Sequence, residues 1–316
     1  MKIVVLDKAT LGEDITLESL ELIGEVTAYC SSTYAQALER VKDADAILLN
    51  KVKITHEIIE SAPRLKIICV TATGYDNIDI DAAKKHGVAV CNVPGYSTDS
   101  VTLFTLATTL SLVAHLREYN KYVVDGSYTR SRVANRLTPV YHELSSMTWG
   151  IIGYGNIGKA VGKVARALGA KVIVNKRTSV EDVECVSLNE LCKRADIITI
   201  HCPLNQDTQN IINKDTISIM KNNVIIVNEA RGAVVNAKDI RDAIKSGKIG
   251  GFGSDVYDGE PFGEDSPLYE IMTFDNVLLT PHAAWGAYES RVRCINTVAD
   301  NIRKFVDGKI QNRVDI

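Results

Sequence analysis

Trp149-Gly150-Ile151-Ile152-Gly153-Tyr154-Gly155-Asn156-Ile157-Gly158 is the stretch whose reading decides the fold. An apolar run of strand length stops at Gly153, and Gly155 and Gly158 lead into a segment where Val161, Val164, Ala165 and Leu168 share one helical face. A bare Gly-x-Gly-x-x-Gly is weak evidence, because a glycine-rich turn can be purely structural. Between a strand and a helix, in a unit of roughly 30 residues, it becomes a dinucleotide cradle. The first glycine makes the tight turn, the second lets backbone approach a pyrophosphate, and the third lets helix and strand pack closely. Asn156 and Ile157 open the helix, whose unpaired amides attract the phosphates.

At the end of the next strand, about 20 residues on, an NAD site carries an acid for the ribose hydroxyls. Here the chain reads Asn175-Lys176-Arg177-Thr178-Ser179. Two cations and two hydroxyls attract a 2′-phosphate that an acid would repel, which favours NADP. NAD stays possible, with Asn175 serving its ribose and the cations simply solvated.

Working outward, Ile3–Leu6, Ala46–Leu49, Lys66–Val70 and Val88–Cys91 read as strands separated by helical stretches. A second series follows at Trp149–Ile152, Lys171–Val174, Asp196–Ile200, Val224–Val227, Gly251–Ser254 and Val277–Leu279. The pattern predicts an α/β protein of two Rossmann-like domains, flavodoxin-like and NAD(P)-binding, with parallel sheets and a cleft between them. Between the series, Leu103, Leu106, Ala107, Leu110, Val113 and Ala114 recur at helical spacing, predicting one helix over Ser97–Leu116. The stretch Asp125 to Ser146 shows no periodicity and reads as a loose surface or intersubunit arm, its Arg130, Arg132 and Arg136 a solvated face. Val292, Ile295, Val298, Ala299, Ile302, Phe305 and Val306 mark a closing helix ended by Gly308. If that helix returns to the first domain, residues 1–99 with 288–316 form a discontinuous substrate domain and 100–287 the dinucleotide domain.

The chain has 316 residues, 24% of them charged, and a net charge of -3. That balance provides no basic footprint for nucleic acid. No apolar run approaches a membrane span or a signal peptide. Seven scattered cysteines without a Cys-x-x-Cys spacing predict neither disulfides nor a metal site, and a cytoplasmic location follows.

Three polar residues follow strands of the second series, where open α/β sheets place ligands. They are Arg231 in Asn228-Glu229-Ala230-Arg231-Gly232, Glu260 in Asp255-Val256-Tyr257-Asp258-Gly259-Glu260-Pro261, and His282 in Thr280-Pro281-His282-Ala283-Ala284-Trp285. Singly, each has a bland reading as a solvated or hydrogen-bonded residue. Together with Asn50-Lys51-Val52, Ala72-Thr73-Gly74-Tyr75-Asp76-Asn77-Ile78-Asp79, Asn92-Val93-Pro94, and His201-Cys202-Pro203-Leu204 with Thr208, they carry a resemblance over nearly the whole chain. The chain resembles the D-isomer-specific 2-hydroxyacid dehydrogenases, and within them the glycerate dehydrogenase or hydroxypyruvate reductase branch.

The resemblance implies hydride exchange between NAD(P)H and a small 2-keto acid. It implies His282 as general acid and base, Glu260 as the partner that orients the imidazole, and Arg231 as the forked cation for the substrate carboxylate. It further implies that Asp255 meets the nicotinamide carboxamide, that Thr105, Cys202, Pro203, Thr208 and Ala230 line the cofactor, and that amides around Thr73 and Gly74 hold the substrate. Lys51 and Trp285 are further substrate-pocket candidates, and the bulk of Trp285 favours glyoxylate, hydroxypyruvate or pyruvate over aromatic keto acids. Arg291 heads the closing helix and reads equally as a salt-bridging residue. The remaining histidines at 56, 86, 115, 142 and 201 read as structural. Departures from the family pattern include Thr102 and Leu103, where members often show Ala and then Glu or Gln, Ser146-Met147 in place of Gly-Lys, and Tyr128 in place of Trp. A homodimer, formed through the Ser97–Leu116 helix and the arm, is also implied. Non-enzymatic dinucleotide-sensing corepressors keep the same fold and remain the alternative, as do the D-lactate and phosphoglycerate types; for the last, no regulatory domain follows residue 316.

Overall fold

The computed structural model describes residues 1–178 and 180–316; Ser179, the second hydroxyl of the basic run, lies outside the described residues. Two compact units divide the chain, Met1–Ser97 with Gly286–Ile316, and Thr98–Trp285.

The first unit is a parallel sheet of β1 (Lys2–Val5), β2 (Glu25–Ala28), β3 (Ala46–Leu49), β4 (Ile67–Val70) and β5 (Ala89–Cys91), in the order β2-β1-β3-β4-β5. That is the flavodoxin-like order. The strand β2 escaped the sequence reading because it is an exposed edge, pairing only with β1, and needs no apolar run. Val4, Ile47, Leu49, Ile68 and Val90 pack with the flanking helices in one core. The helix Tyr288–Val306 packs against β4 and buries Ile295, Val298, Ala299 and Ile302, whereas Val306 is exposed. Beyond Gly308, at φ +70°, the tail returns to β5, where Asp315 accepts the Val90 amide at 2.9 Å.

The second unit is a seven-stranded parallel sheet: β6 (Thr148–Ile152), β7 (Lys171–Asn175), β8 (Glu184–Cys185), β9 (Ile197–Ile200), β10 (Val224–Asn228), β11 (Ile249–Ser254) and β12 (Val277–Leu279). The order is β12-β11-β10-β9-β6-β7-β8, so the winding reverses between β6 and β9. Helices cover both faces, which is why β10 is buried at every residue. Its Ile226 packs with Ile198, Ile240 and Phe252 on one face, its Ile225 and Val227 with Trp149, Ile151 and Val161 on the other.

The helix expected over Ser97–Leu116 is observed over Thr98–Val113, and after His115, in the left-handed region at φ +51°, a further helix that the spacing did not mark runs over Leu116–Val124. The first also buries a different face from the one its apolar spacing marks. Thr105, Thr108, Thr109 and Leu112 are buried, while Leu103 is 63% exposed. The arm is not wholly irregular either, since Ser127–Ser131 is helical and Arg136 pairs with Glu118 at 3.3 Å rather than standing in solvent. Leu168, expected on the buried face of the helix Asn156–Ala167, follows its last turn and is exposed. Among the described residues, no single helix is long and apolar enough to cross a membrane, and all seven cysteines are free thiols.

Candidate active site

Each glycine of the turn has a distinct reason. Gly153 sits at φ +88°, and a Cβ there would lie 2.5 Å from the Cys202 amide nitrogen. On Gly158 it would lie 2.2 Å from the Gly153 carbonyl oxygen. On Gly155 it would meet nothing within 4 Å, and the helix Asn156–Ala167 starts beside that open space without a side-chain cap. Backbone donors facing a gap fit a dinucleotide pyrophosphate. At the exit of β7, Asn175 donates to the Val186 carbonyl at 3.1 Å, and Lys176, Arg177 and Thr178 are exposed.

The other expected lining residues also cluster at carboxyl ends of this sheet. Cys202 and Pro203 follow β9, and Thr208 builds their turn by donating to the Pro203 carbonyl at 2.6 Å. Ala230 follows β10, held by its amide on the Asn228 side chain at 3.1 Å. Thr105 is fully buried and donates to the Val101 carbonyl at 2.8 Å.

Arg231, Glu260 and His282 stand on the loops after β10, β11 and β12, three neighbouring strands. The first two loops touch backbone to backbone, since a Cβ on Gly232 would lie 1.9 Å from the Tyr257 carbonyl carbon. His282 Nδ1 lies 2.6 Å from Glu260 Oε2, and Glu260 Oε1 accepts the Tyr257 amide at 3.1 Å. His282 itself is left-handed at φ +53°, a backbone state that a non-glycine residue keeps only when its surroundings enforce it. Asp255 supplies that enforcement: it accepts the Thr280 hydroxyl at 2.6 Å and the Ala283 and Ala284 amides, each at 2.8 Å. The acid expected against a nicotinamide carboxamide thus has the histidine loop bound to both of its oxygens. The Tyr257 hydroxyl adds a bond to the Thr280 carbonyl at 2.7 Å. Arg231 donates to the Ala230 carbonyl at 2.8 Å.

In the first unit Lys51 follows β3, where Asp7 accepts the amides of Asn50, Lys51 and Val52 at 2.7–3.1 Å. Thr73 follows β4 and donates to the Val93 carbonyl at 2.9 Å, with Gly74 next in the loop. Trp285 is half-buried, three residues beyond His282. Arg291 is structural, bonding the Leu11 carbonyl at 2.8 Å and Asp14 at 2.9 Å. His56 and His86 have no company along the chain, but folding places their rings 5.3 Å apart, with His56 2.9 Å from Glu60.

Two site-adjacent residues lie inside motifs quoted from the sequence, without a site role assigned to either. Glu229 precedes Ala230, and His201 precedes Cys202. Both Glu229 oxygens and both His201 ring nitrogens are buried without a hydrogen-bond partner among the described residues. Burial, with Asp255 nearby, pushes the Glu229 carboxyl up to about 9, and burial alone pushes His201 down to about 3.

Residues 106–284 match the profile described as D-isomer specific 2-hydroxyacid dehydrogenase, NAD binding domain. The chain is 37% identical to a hydroxypyruvate reductase of Blautia hydrogenotrophica, over the full length of both. It is 33% identical to a glycerate dehydrogenase of Methylorubrum extorquens, over 99% of each chain. It superposes on a D-lactate dehydrogenase of Aquifex aeolicus, solved with NAD and lactic acid, with a TM-score of 0.87 and 30% identity over 100% of this chain and 99% of that one. The glycine turn, the two parallel sheets and these likenesses agree: the chain belongs to the D-isomer specific 2-hydroxyacid dehydrogenase family, nicotinamide-dependent enzymes that act on the CH–OH group of their donors.

Proposed function

We propose that this enzyme reduces hydroxypyruvate or glyoxylate to the corresponding 2-hydroxy acid, of D configuration where a stereocentre forms, with NADPH preferred over NADH. The observation that carries the reading is the 2.6 Å contact between His282 Nδ1 and Glu260. A carboxylate on Nδ1 fixes the orientation of the ring, so Nε2 is the position that exchanges a proton. The bound dinucleotide supplies the hydride. In the reductive direction His282 gives its proton to the carbonyl oxygen, and in the oxidative direction it takes the hydroxyl proton back. Arg231 holds the substrate carboxylate and the developing negative charge. The backbone around Thr73 and Gly74, with Lys51, is assigned to substrate binding, and Trp285 limits the substrate's size. Asp255 fixes the left-handed His282 loop, which keeps the acid aimed without rearrangement.

The names of the two curated relatives support hydroxypyruvate and glycerate as the substrate pair. Lys176 and Arg177 at the β7 exit, where no acid stands, support NADPH. Exposed Leu103, Val124, Leu137 and Val140 on the Thr98–Val113 helix, the Leu116–Val124 helix and the arm support a homodimer, and the free thiols support a cytoplasmic setting.

Reduced-cofactor oxidation with a panel of 2-keto acids tests the reading. Turnover is expected with hydroxypyruvate or glyoxylate, with a higher kcat/KM for NADPH, and a loss of about 10²–10⁴-fold in kcat for His282→Ala. A wild-type protein that binds the reduced dinucleotide yet turns over none of the panel sinks it in favour of a sensor.

A further inference from the structure

The helices His56–Glu60 and Ile80–Lys85 follow β3 and β4, and the loops that lead into them are fastened to each other. Ile54 and Ile78 form a bridge, with the Ile54 amide on the Asn77 carbonyl and the Asp79 amide on the Ile54 carbonyl, each at 2.9 Å. The Asn77 side chain donates to the Asn50 and Val52 carbonyls at 3.1 and 2.9 Å. Ile58 and Ile59 of one helix and Ala82 and Ala83 of the other are buried in the same core. Both backbones are therefore fixed, and side chains that stand outward from them meet at a defined place. His56 and Glu60, one turn apart, share a helix face, and His56 Nε2 lies 2.9 Å from Glu60 Oε1. His86, which ends the second helix, brings its ring to 5.3 Å from that of His56, tilted by 60°. One ligand atom from each of the three lies within 4.8 Å of the others, and among the described residues this is the one group of three metal-ligating side chains that meets so closely.

A histidine–glutamate pair on the surface contributes little to stability by itself, and it does not account for the second imidazole. Two imidazoles and a carboxylate are a donor set for zinc-type divalent ions, which take nitrogen and oxygen together. The spacing suits such an ion. With Zn–N at about 2.0–2.1 Å, ring centres lie about 3 Å from the metal and, on a tetrahedron, about 5 Å apart. The two rings already stand at 5.3 Å. Donor atoms on the same tetrahedron are about 3.4 Å apart, so ligand atoms within 4.8 Å of one another close on the ion by moving about 1.5 Å at most. Glu60 and His86 are exposed and His56 is half-buried, so rotamer changes suffice. We infer that His56, Glu60 and His86 bind one divalent ion of the zinc type, with the fourth position left to water. The stretch between its ligands contains β4 and the Thr73-Gly74 loop, so the ion clips the segment assigned to substrate binding. None of the three ligands is a cysteine, and the cysteine spacing, on which the expectation of no metal site rested, holds no trace of it.

The site lies within the first unit and does not depend on the substrate or cofactor proposed above. The full-length protein, stripped of metal with a chelator that is then removed, is titrated with Zn²⁺ by calorimetry and with Co²⁺ by visible absorption. Wild type is expected to take up one Zn²⁺ at this site with a dissociation constant of about a micromolar, and its cobalt form to show nitrogen and oxygen ligation without a thiolate band. Losing even a residue that only hydrogen-bonds a ligand typically costs about 10–100-fold in affinity, so Glu60→Gln and His86→Asn are each expected to weaken binding at least about tenfold. The double variant His56→Asn, His86→Asn is expected to abolish it. Hydrogen exchange reads the clip: Zn²⁺ is expected to slow the amides of both helices in wild type and not in the double variant. Circular dichroism checks each fold, and the two exposed single variants decide if the double variant fails to fold. No uptake at about 100 µM Zn²⁺, equal affinity in wild type and variants, or a thiolate band overturns the site. Uptake that leaves exchange in both helices unchanged overturns the clip.

Discussion

Two buried acids each stand just beyond the carboxyl end of a strand, one in each sheet. Asp7 follows β1 and Glu229 follows β10, and both lie in the interior at 4% and 8% exposure. Asp7 is surrounded by donors, the three consecutive amides of Asn50, Lys51 and Val52. Glu229 has none. Burial raises the proton affinity of both, but around Asp7 the amides pull it back, whereas the negative neighbour Asp255 pushes Glu229 further up. Depth alone therefore does not say what an interior carboxyl is for. A satisfied one ties loops together, whereas an unsatisfied one has its protonation set by burial and by its charged neighbour.

The largest break in this contrast is expected at Asp7. Asp7→Asn puts an amide NH2 among N–H donors and removes charge-assisted bonds, at a cost of roughly 2–4 kcal/mol in denaturant unfolding, with cofactor affinity unchanged. An effect near zero would mean that the three amides do not depend on the charge. At Glu229 the sign reverses. Its folded pKa lies above the unfolded value, so the contribution is complete below about pH 4.5 and is lost progressively as pH rises through about 9. Glu229→Gln escapes this loss and should be more stable than wild type at pH 8, with the gain vanishing near pH 4. A pH-independent difference would remove the ionisation argument. His201 sets the smallest effect and acts on the acid side. Its folded pKa is depressed, so its contribution is present above about 6.5 and is lost as pH falls toward 3. At pH 5.5 the loss is about 1 kcal/mol, and His201→Gln should flatten that limb of the stability curve.

The sequence revealed what is local. Gly153, Gly155 and Gly158 are legible because one strand, one turn and one helix suffice to explain them. Arg231, Glu260 and His282 are legible as residues that each follow a strand, although only the adjacency of β10, β11 and β12 explains how Glu260 reaches His282 across 22 positions. Properties that depend on a second element were not legible. The burial of Glu229 comes from the strands on both sides, the engagement of Asp255 from a loop nearly thirty residues away, and β2 exists as a strand because β1 offers it an edge. The Thr98–Val113 helix misleads for the same reason. Two of its buried threonines bond back to their own helix, Thr102 to the Thr98 carbonyl and Thr105 to the Val101 carbonyl, so part of a polar face can be covered while Leu103 is not.

The tail that closes the first unit imposes an order on biosynthesis. Val90 uses its amide on Asp315 and its carbonyl on Val314, and β4 needs the Tyr288–Val306 helix as cover. The residues up to Ser97 leave the ribosome before the closing segment, yet they wait for it before their sheet is covered. The dinucleotide unit, continuous from Thr98 to Trp285, has all its strands translated in between. The portion synthesised earliest is therefore the one that finishes last, and during that interval its uncovered strands are the ones exposed to chaperones and proteases.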